Sequence, residues 1–281
     1  MYIGIDNGGT STRVAAFVEP SSGHYEVVGQ FATKDVFDQQ IEAIVKVINA
    51  GSFAAVNGIG IAIGAQVAVD GASVVDSVNL SDYVGKPVVD VLSREFGCPV
   101  RMAHDAVCGL LAERAFGHLR GQERCAYLTV STGTGVAVHI GKAEVSQSFS
   151  IEMGHQIIGG NSLVCLCGQI GCLETITGGK QIELRTGRRA EEISDLEFWR
   201  EFTETLAIGL VNLAQLTRVE AVTLSGGIGL HNEYLRSNLQ GAVNNLIRGV
   251  SLQVSWATLG EAAPLVGAAL LLRTPEEGIL H

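Results

Sequence analysis

Apolar residues open the chain in short blocks, YIGID (2–6), RVAAFV (13–18), EVVGQF (26–31) and GIGIAIG (58–64), each closed by a polar or glycine-rich break. Blocks of that length and punctuation predict strands. Between the last two the period changes: residues 37–50, FDQQIEAIVKVINA, repeat Ile41, Ile44, Val45 and Ile48 at helical spacing and stop at Gly51. A second helix is predicted over 87–96, opened by Pro87, striped by Val88, Val91, Leu92 and Phe96, and ended by Gly97. PVRMAH (99–104) then reads as a short strand leading into a helix over 105–116, with Asp105 where an N-cap belongs.

The second half repeats the opening. CAYLTVS (125–131) predicts a strand, residues 132–135 a turn, and VAVHIG (136–141) the returning strand. In the first segment a strand ends in Asp6, turns through Asn7, Gly8, Gly9 and Thr10, and returns from Arg13. Two strand, Gly-Thr turn, strand units half a chain apart point to a duplicated α/β architecture with both turns aimed at one ligand. Further on, helices are predicted near 173–185 and over 195–216, the latter striped by Phe198, Phe202, Leu206, Leu210 and Leu213. AVTLSGGIG (221–229) reads as a buried strand running into a glycine turn, 232–248 as helix, and AAPLVGAALLL (262–272) as a buried helix. At 281 residues two domains are expected, 1–110 and 111–261, with a soft boundary near 105–120.

Composition narrows the function classes. With 47% hydrophobic and 17% charged residues the chain fills a core and is not disordered. Nineteen basic against 29 acidic residues give a net charge of -10, and no basic run exists to neutralise a phosphate backbone, so nucleic acid is not an expected partner. The start, MYIGID, carries no leader pattern, and no apolar run approaches the ~20 residues of a membrane span. A cytoplasmic location is expected. Cys98, Cys108 and Cys125 stand scattered among apolar residues and read as small core thiols, not disulfide partners.

Chemistry concentrates in four places. DNGGT and STGTG present backbone N–H groups and hydroxyls without side-chain bulk, as a polyphosphate requires. One such turn alone is more often an ordinary hairpin. Two of one type, with Asp6 to hold magnesium and LSGG as a third glycine site, read as a nucleotide clamp. Asp105 suits two roles, helix N-cap and the carboxylate that accepts a hydroxyl proton in phosphoryl transfer. His155, Cys165, Cys167 and Cys172 form a complete tetrahedral set for a structural zinc, which leaves Glu152 and Glu174 to face a ligand.

Together these residues resemble the ROK family, repressors and sugar kinases of the actin-like ATPase superfamily. The matching motifs are DNGGTSTR (6–13), STGTG (131–135), EMGH (152–155), CLCGQIGCLE (165–174) and LSGG (224–227). The cysteine signature with EMGH ahead of it is the most specific of them. The resemblance implies a two-domain actin-like (ribonuclease H-like) α/β fold with a ligand cleft between the domains, and a last helix, 262–273, that packs back on the N-terminal one. It implies an ATP-dependent kinase acting on a hexose or N-acetylhexosamine of the glucose, N-acetylmannosamine or N-acetylglucosamine type, at O6, with Asp105 as general base. Asp6 would serve magnesium; Gly8, Gly9, Thr10, Thr132, Gly133 and Thr134 the phosphates; Gly226 and Gly227 the nucleoside. Asn79, His104, Glu152, His155 and Glu174 match sugar-contacting positions, His155 also ligating the structural zinc. ATP and the sugar are the implied partners, and family habit implies a homodimer.

Three departures mark this chain. His104 stands where the family commonly has Asn; Gly64, Ala65 and Gln66 replace a Pro-Gly turn; and VAVH replaces extra glycines after STGTG. They leave the reaction class intact and bear on which sugar is taken. Family repressors carry a helix-turn-helix ahead of the first strand, whereas here that strand begins at Tyr2, so the competing expectation is a catalytically idle sugar sensor.

Overall fold

The computed structural model describes residues 1–77, 80–142, 145–273 and 279–280. The chain forms two compact units, one of Met1–Ala112 with Gln147–Phe149 and Ala262–His281, the other of Glu113–Ser146 with Ser150–Glu261. The first contains β1 (Tyr2–Asn7), β2 (Ser11–Phe17), β3 (Glu26–Ala32), α1 (Phe37–Ala50) and β4 (Gly58–Ile63). A two-strand hairpin of β5 (Gln66–Val67) and β6 (Val74–Asp76) follows, then α2 (Val88–Phe96), β7 (Val100–His104) and the start of α3 (Asp105–Phe116). The sheet order is β3-β2-β1-β4-β7. β1, β2 and β3 pair antiparallel, while β1, β4 and β7 run parallel with Asn7 beside Ile63 and Ile63 beside His104. That register brings the ends of three strands together, so the turn after Asn7, Gly64 and Asp105 leave the same edge.

Alternation explains the packing of this sheet. Ile3, Ile5, Ile59, Ile61 and Ile63 are all buried, and α1 lays Phe37, Ile44 and Ile48 into the same core as Leu92 of α2. Each such side chain contributes about 2 kcal/mol of transfer free energy.

The second unit contains β8 (Arg124–Val130), β9 (Thr134–Lys142) and the two ends of β10 (Val145–Ile151), whose residues 147–149 group with the first unit, then α4 (Glu174–Thr177), α5 (Gly179–Thr186), α6 (Leu196–Thr217) and β11 (Ala221–Ser225). α7 (Gly226–His231), α8 (Glu233–Leu246) and β12 (Gln253–Trp256) complete it. Five strands follow the order β12-β11-β8-β9-β10, with β13 (Ile279–Leu280) added parallel at β10, β8 and β9 antiparallel, and β11 parallel to both β8 and β12. Read from the other side, this is the order of the first sheet. The duplication suggested by the two hairpins extends to the order of five strands. α6 starts at Asp195, whose carboxylate accepts the Glu197 N–H at 2.9 Å, and it buries Phe202, Leu206, Leu210 and Leu213.

The last helix, α9 (Ala263–Leu270), belongs to the first unit, as does the two-residue β13 (Ile279–Leu280). α9 lies against β1 and β4 at glycines: a Cβ on Gly60 would stand 1.7 Å from the Ala268 carbonyl oxygen, and one on Gly267 1.8 Å from that of Cys108. Neither contact is possible, so both positions must be glycine for the helix to reach the sheet and α3.

Several elements differ from the expectation. Helix 173–185 is two helices, because Gly178 takes an extended conformation between α4 and α5. The strand with Ala221 ends at Ser225, and the glycines after it open α7 rather than extend a turn. β10 and β12 carry weak apolar patterns, VSQSFSI and QVSW, and follow from their sheet partners more than from their own residues.

Candidate functional site

The first glycine turn, Gly8–Thr10, is closed by the Gly8 N–H to the Ser11 carbonyl at 3.1 Å. Thr33 of the segment after β3 donates its hydroxyl to the Gly8 carbonyl at 2.8 Å, and its N–H reaches the Thr10 carbonyl at 3.1 Å. Below the turn the buried Gln40 of α1 donates to Asn7 Oδ1 at 2.5 Å and Thr12 Oγ1 at 2.7 Å, and accepts the Lys34 N–H at 3.0 Å. Asp6 is largely buried, and its Oδ2 accepts from Arg13 Nη2 at 2.6 Å and Nε at 3.2 Å. Asp6 thus already has a counter-charge, which a magnesium ion at the same carboxylate would share.

Asp105 opens α3 beside that turn. A Cβ built on Gly64 would lie 3.6 Å from Asp105 Oδ2, 3.7 Å from the Gly9 nitrogen and 3.8 Å from Gly8 Cα, so carboxylate and turn face one small gap. Asp105 Oδ1 is buried and lies 3.1 Å from His104 Nδ1, and it receives a hydrogen bond only when that nitrogen carries the proton. The Ala106 N–H lies 3.2 Å from the same nitrogen. One imidazole nitrogen cannot donate and accept at once. The geometry satisfies the bond from the Ala106 N–H, so His104 Nδ1 is its acceptor, and Asp105 Oδ1 receives no hydrogen bond among the described residues. Cys108, one turn along α3, is held in its neutral thiol form by burial, with Asp105 and Asp6 adding to the effect.

The second turn, Ser131–Gly133, lies between β8 and β9 in the second unit. Its bracing comes from the segment that follows the cysteines. Thr134 N–H donates to Glu174 Oε2 at 2.7 Å, Thr134 and Thr177 hydroxyls meet at 2.8 Å, and the Gly179 and Lys180 N–H groups reach the Ser131 and Thr132 carbonyls at 2.8 and 2.9 Å. A Cβ on Gly133 would stand 2.8 Å from the Glu174 carboxylate, which explains the glycine. The glycine pair at the start of α7 lies near: Gly226 has φ +82° and packs on the Val130 backbone, while nothing approaches a Cβ on Gly227.

The four residues predicted as metal ligands converge. The ligand atoms of His155, Cys165, Cys167 and Cys172 all lie within 4.8 Å of one another. Cys167 and Cys172 sulfurs are 3.8 Å apart, and Cys165 Sγ is 3.7 Å from His155 Nδ1. Zn–S bonds of about 2.3 Å at tetrahedral angles place sulfurs about 3.8 Å apart, the spacing of Cys167 and Cys172, so the donor set is compatible with zinc. Burial pushes the Cys165 and Cys172 thiols above their usual range. A bound cation offsets that cost by taking the thiolates. Gln181 Nε2 donates to Cys165 Sγ at 3.3 Å and Gln169 Nε2 to Cys172 Sγ at 3.2 Å, bonds that suit sulfur carrying negative charge. The loop holds this shape through Gly168 and Gly171, at φ +89° and +86°. His155 Nε2 faces away from the sulfurs, 3.8 Å from Glu152 Oε2.

Comparison with known proteins bears on this geometry. The model of the ROK family matches residues 2–275. This chain belongs to the ROK family. It is 28% identical to an N-acetylmannosamine kinase of Vibrio vulnificus over 95% of this chain and 96% of that protein. It is 26% identical to the xylose repressor of Bacillus subtilis over 64% of this chain and 52% of that protein. Among solved structures, a ROK family glucokinase from Streptomyces griseus, in complex with glucose and AMPPNP, superposes with a TM-score of 0.79 at 24% identity, covering 96% of this chain and 98% of that one. The ROK chain thus has the two-domain α/β fold of actin-like ATPases.

Of the predicted site residues, Asp6, Gly8, Gly9, Thr10, His104 and Asp105 gather at one sheet edge of the first unit. Thr132, Gly133, Thr134, Glu174, Gly226 and Gly227 gather in the second. Asn79 lies outside the described residues. Arg13, Thr33, Gln40 and Thr177 hold the turns and were not anticipated. Gln40 had a signal: it sits three residues after Phe37 and four before Ile44, a polar residue inside an apolar stripe. Thr177 had none, because its partner is 43 residues away. Among the described residues no helix is long and apolar enough to cross a membrane.

Proposed function

We propose that this ROK protein is an ATP-dependent kinase that phosphorylates a hexose or N-acetylhexosamine at O6. The observation that carries the reading is the gap shared by Asp105 Oδ2, Gly8, Gly9 and Gly64, where a carboxylate adjoins a turn suited to phosphate. In phosphoryl transfer the protein supplies position and charge neutralisation, and a base within reach of the acceptor hydroxyl. Asp105 takes the sugar hydroxyl proton on Oδ2, while its Oδ1 stands 3.1 Å from His104 Nδ1. The Gly8–Thr10 and Ser131–Gly133 turns offer N–H groups to the phosphates of ATP. Magnesium, when bound with ATP, neutralises phosphate charge near Asp6.

Glu152, His155 and Glu174 are proposed to receive sugar hydroxyls. Zinc held by His155, Cys165, Cys167 and Cys172 is structural: with four protein ligands it has no open position for chemistry. The protein is further proposed to be a cytoplasmic homodimer.

A coupled ADP-release assay over aldoses, ketoses and N-acetylated amino sugars tests the kinase. Turnover is expected with at least one hexose or hexosamine. Measurable sugar binding without turnover on any of them would leave the idle sensor as the function. Light scattering tests the dimer, with a mass near twice 29.6 kDa expected and a single-chain mass refuting it.

A further inference from the structure

The segment directly after the last cysteine carries an inference about the second turn. Within residues 174–180, four groups bind four groups of residues 131–134: the Glu174 carboxylate takes the Thr134 N–H, the Thr177 hydroxyl pairs with that of Thr134, and the Gly179 and Lys180 amides take the Ser131 and Thr132 carbonyls. Among the described residues the first turn and the strand ends beside it are held instead by Thr33 and Gln40. The Thr134 N–H is therefore spent inside the protein, and a backbone N–H for phosphate from this turn falls to the residues before it.

We propose that residues 174–180 are a strap that presets the phosphate turn, with Glu174 as its positioning residue. The proposal rests on the nucleotide reading of that turn. Glu174 stands two residues after Cys172, and the strap is rooted in the metal loop: the Leu173 N–H reaches the Gln156 carbonyl at 2.9 Å, and Asn161 Nδ2 binds both the Cys172 carbonyl and Thr175 Oγ1. The metal loop thereby governs nucleotide affinity as well as the sugar contacts. The geometry is specific to a carboxylate or amide at 174. A Cβ on Gly133 would lie 2.8 Å and one on Gly154 3.3 Å from Glu174 Oε2, so the oxygen sits in a slot that both glycines leave open. The energetic argument is that of a charge-assisted hydrogen bond at a part-buried amide, whose loss leaves the amide without its acceptor and frees the turn.

Calorimetric titration with AMPPNP and, separately, with the sugar that supports turnover tests it on the full-length protein. Glu174→Ala is expected to weaken AMPPNP binding by about tenfold or more, the scale of one lost charge-assisted bond. Glu174→Gln, which keeps a carbonyl oxygen for the Thr134 N–H, is expected to stay within about twofold of the parent for AMPPNP. If Glu174→Ala weakens sugar binding alone and leaves AMPPNP unchanged, Glu174 is only a sugar contact and the strap is refuted. Should that variant fail to fold, Thr177→Val removes one strap bond at constant shape, and unchanged AMPPNP affinity there refutes the proposal equally. Hydrogen exchange separates this from the kinase reading. If the parent binds no nucleotide, the kinase reading falls, yet faster exchange of the 131–134 amides in Glu174→Ala still supports the strap, and unchanged exchange overturns it.

Discussion

The two glycine turns occupy the same place in two copies of one sheet, and they are held in different ways. The first sits over its own core: Gln40 from α1 reaches up between β1 and β2, and Thr33 closes the side. The second is held from outside its sheet, by residues 174–180 of the long insert between β10 and α6 that also carries the cysteines. Where β7 ends in His104 and is followed by Asp105, β12 ends in Trp256 and is followed by Ala257. The strand at the first position is therefore followed by a carboxylate, and its counterpart in the second sheet by an alanine. On the proposed function, the comparison teaches that duplication supplies two similar turns, while the carboxylate at one and the strap at the other were added separately.

The largest expected effect tests the carboxylate. Asp105→Asn should lower kcat by about 100-fold or more, the usual scale of a lost general base, with sugar affinity nearly kept. Steady-state kinetics beside sugar calorimetry check this, and a near-normal rate would remove Asp105 from the role.

Metal removal tests the strap. Metal analysis should find about one zinc per chain, the number one Cys₃His set can hold. Chelation should then loosen the 131–134 amides in hydrogen exchange while leaving those of residues 8–10 protected. Equal change at both turns would show that the metal acts on the whole fold and not through the strap.

Gln40→Leu tests the internal bracing of the first turn. It keeps the volume but strips acceptor or donor from Asn7, Thr12 and Lys34, and should cost about 2 kcal/mol in denaturant unfolding through buried groups left without partners. The second turn should keep its exchange protection in that variant.

The smallest expected effect is acid weakening of the second unit. His139 of β9 is buried opposite Cys125, and burial, aided by the Arg114 charge, lowers its pKa from 6.5 to about 4. The unfolded chain then binds more protons than the folded one between those values. Stability from this group is complete above pH 6.5 and is lost as pH falls toward 4, on the order of 1 kcal/mol by pH 5.5. An NMR titration of the ring checks it; a midpoint near 6.5 would cancel the effect.

Much of the fold was legible because its elements announce themselves locally. α1 was readable from its 3.6-residue stripe and Gly51, and β1 and β4 from short apolar runs between glycines. The metal set was readable because Cys165, Cys167 and Cys172 stand within eight residues and have no packing reason to do so. β12 was not readable, since QVSW alternates too briefly to signal a strand and is one because β11 pairs with it. The break at Gly178 escaped for a similar reason: a Cβ there would meet Glu174 Cγ at 2.6 Å, a constraint visible only once α4 exists.

The sequence by itself determined the two glycine turns, the ligand set and the presence of a carboxylate after β7, because each depends on residue type and short spacing. Only the tertiary structure decided what those groups do for one another. It set His104 Nδ1 against Asp105 Oδ1, assigned Gln40 to the first turn, and gave the Glu174 oxygen to Thr134, 40 residues away. The physical reason is range. Propensity and spacing act over a turn or two of chain, whereas a hydrogen bond between distant segments exists only after two sheets and a metal loop have fixed where both ends stand.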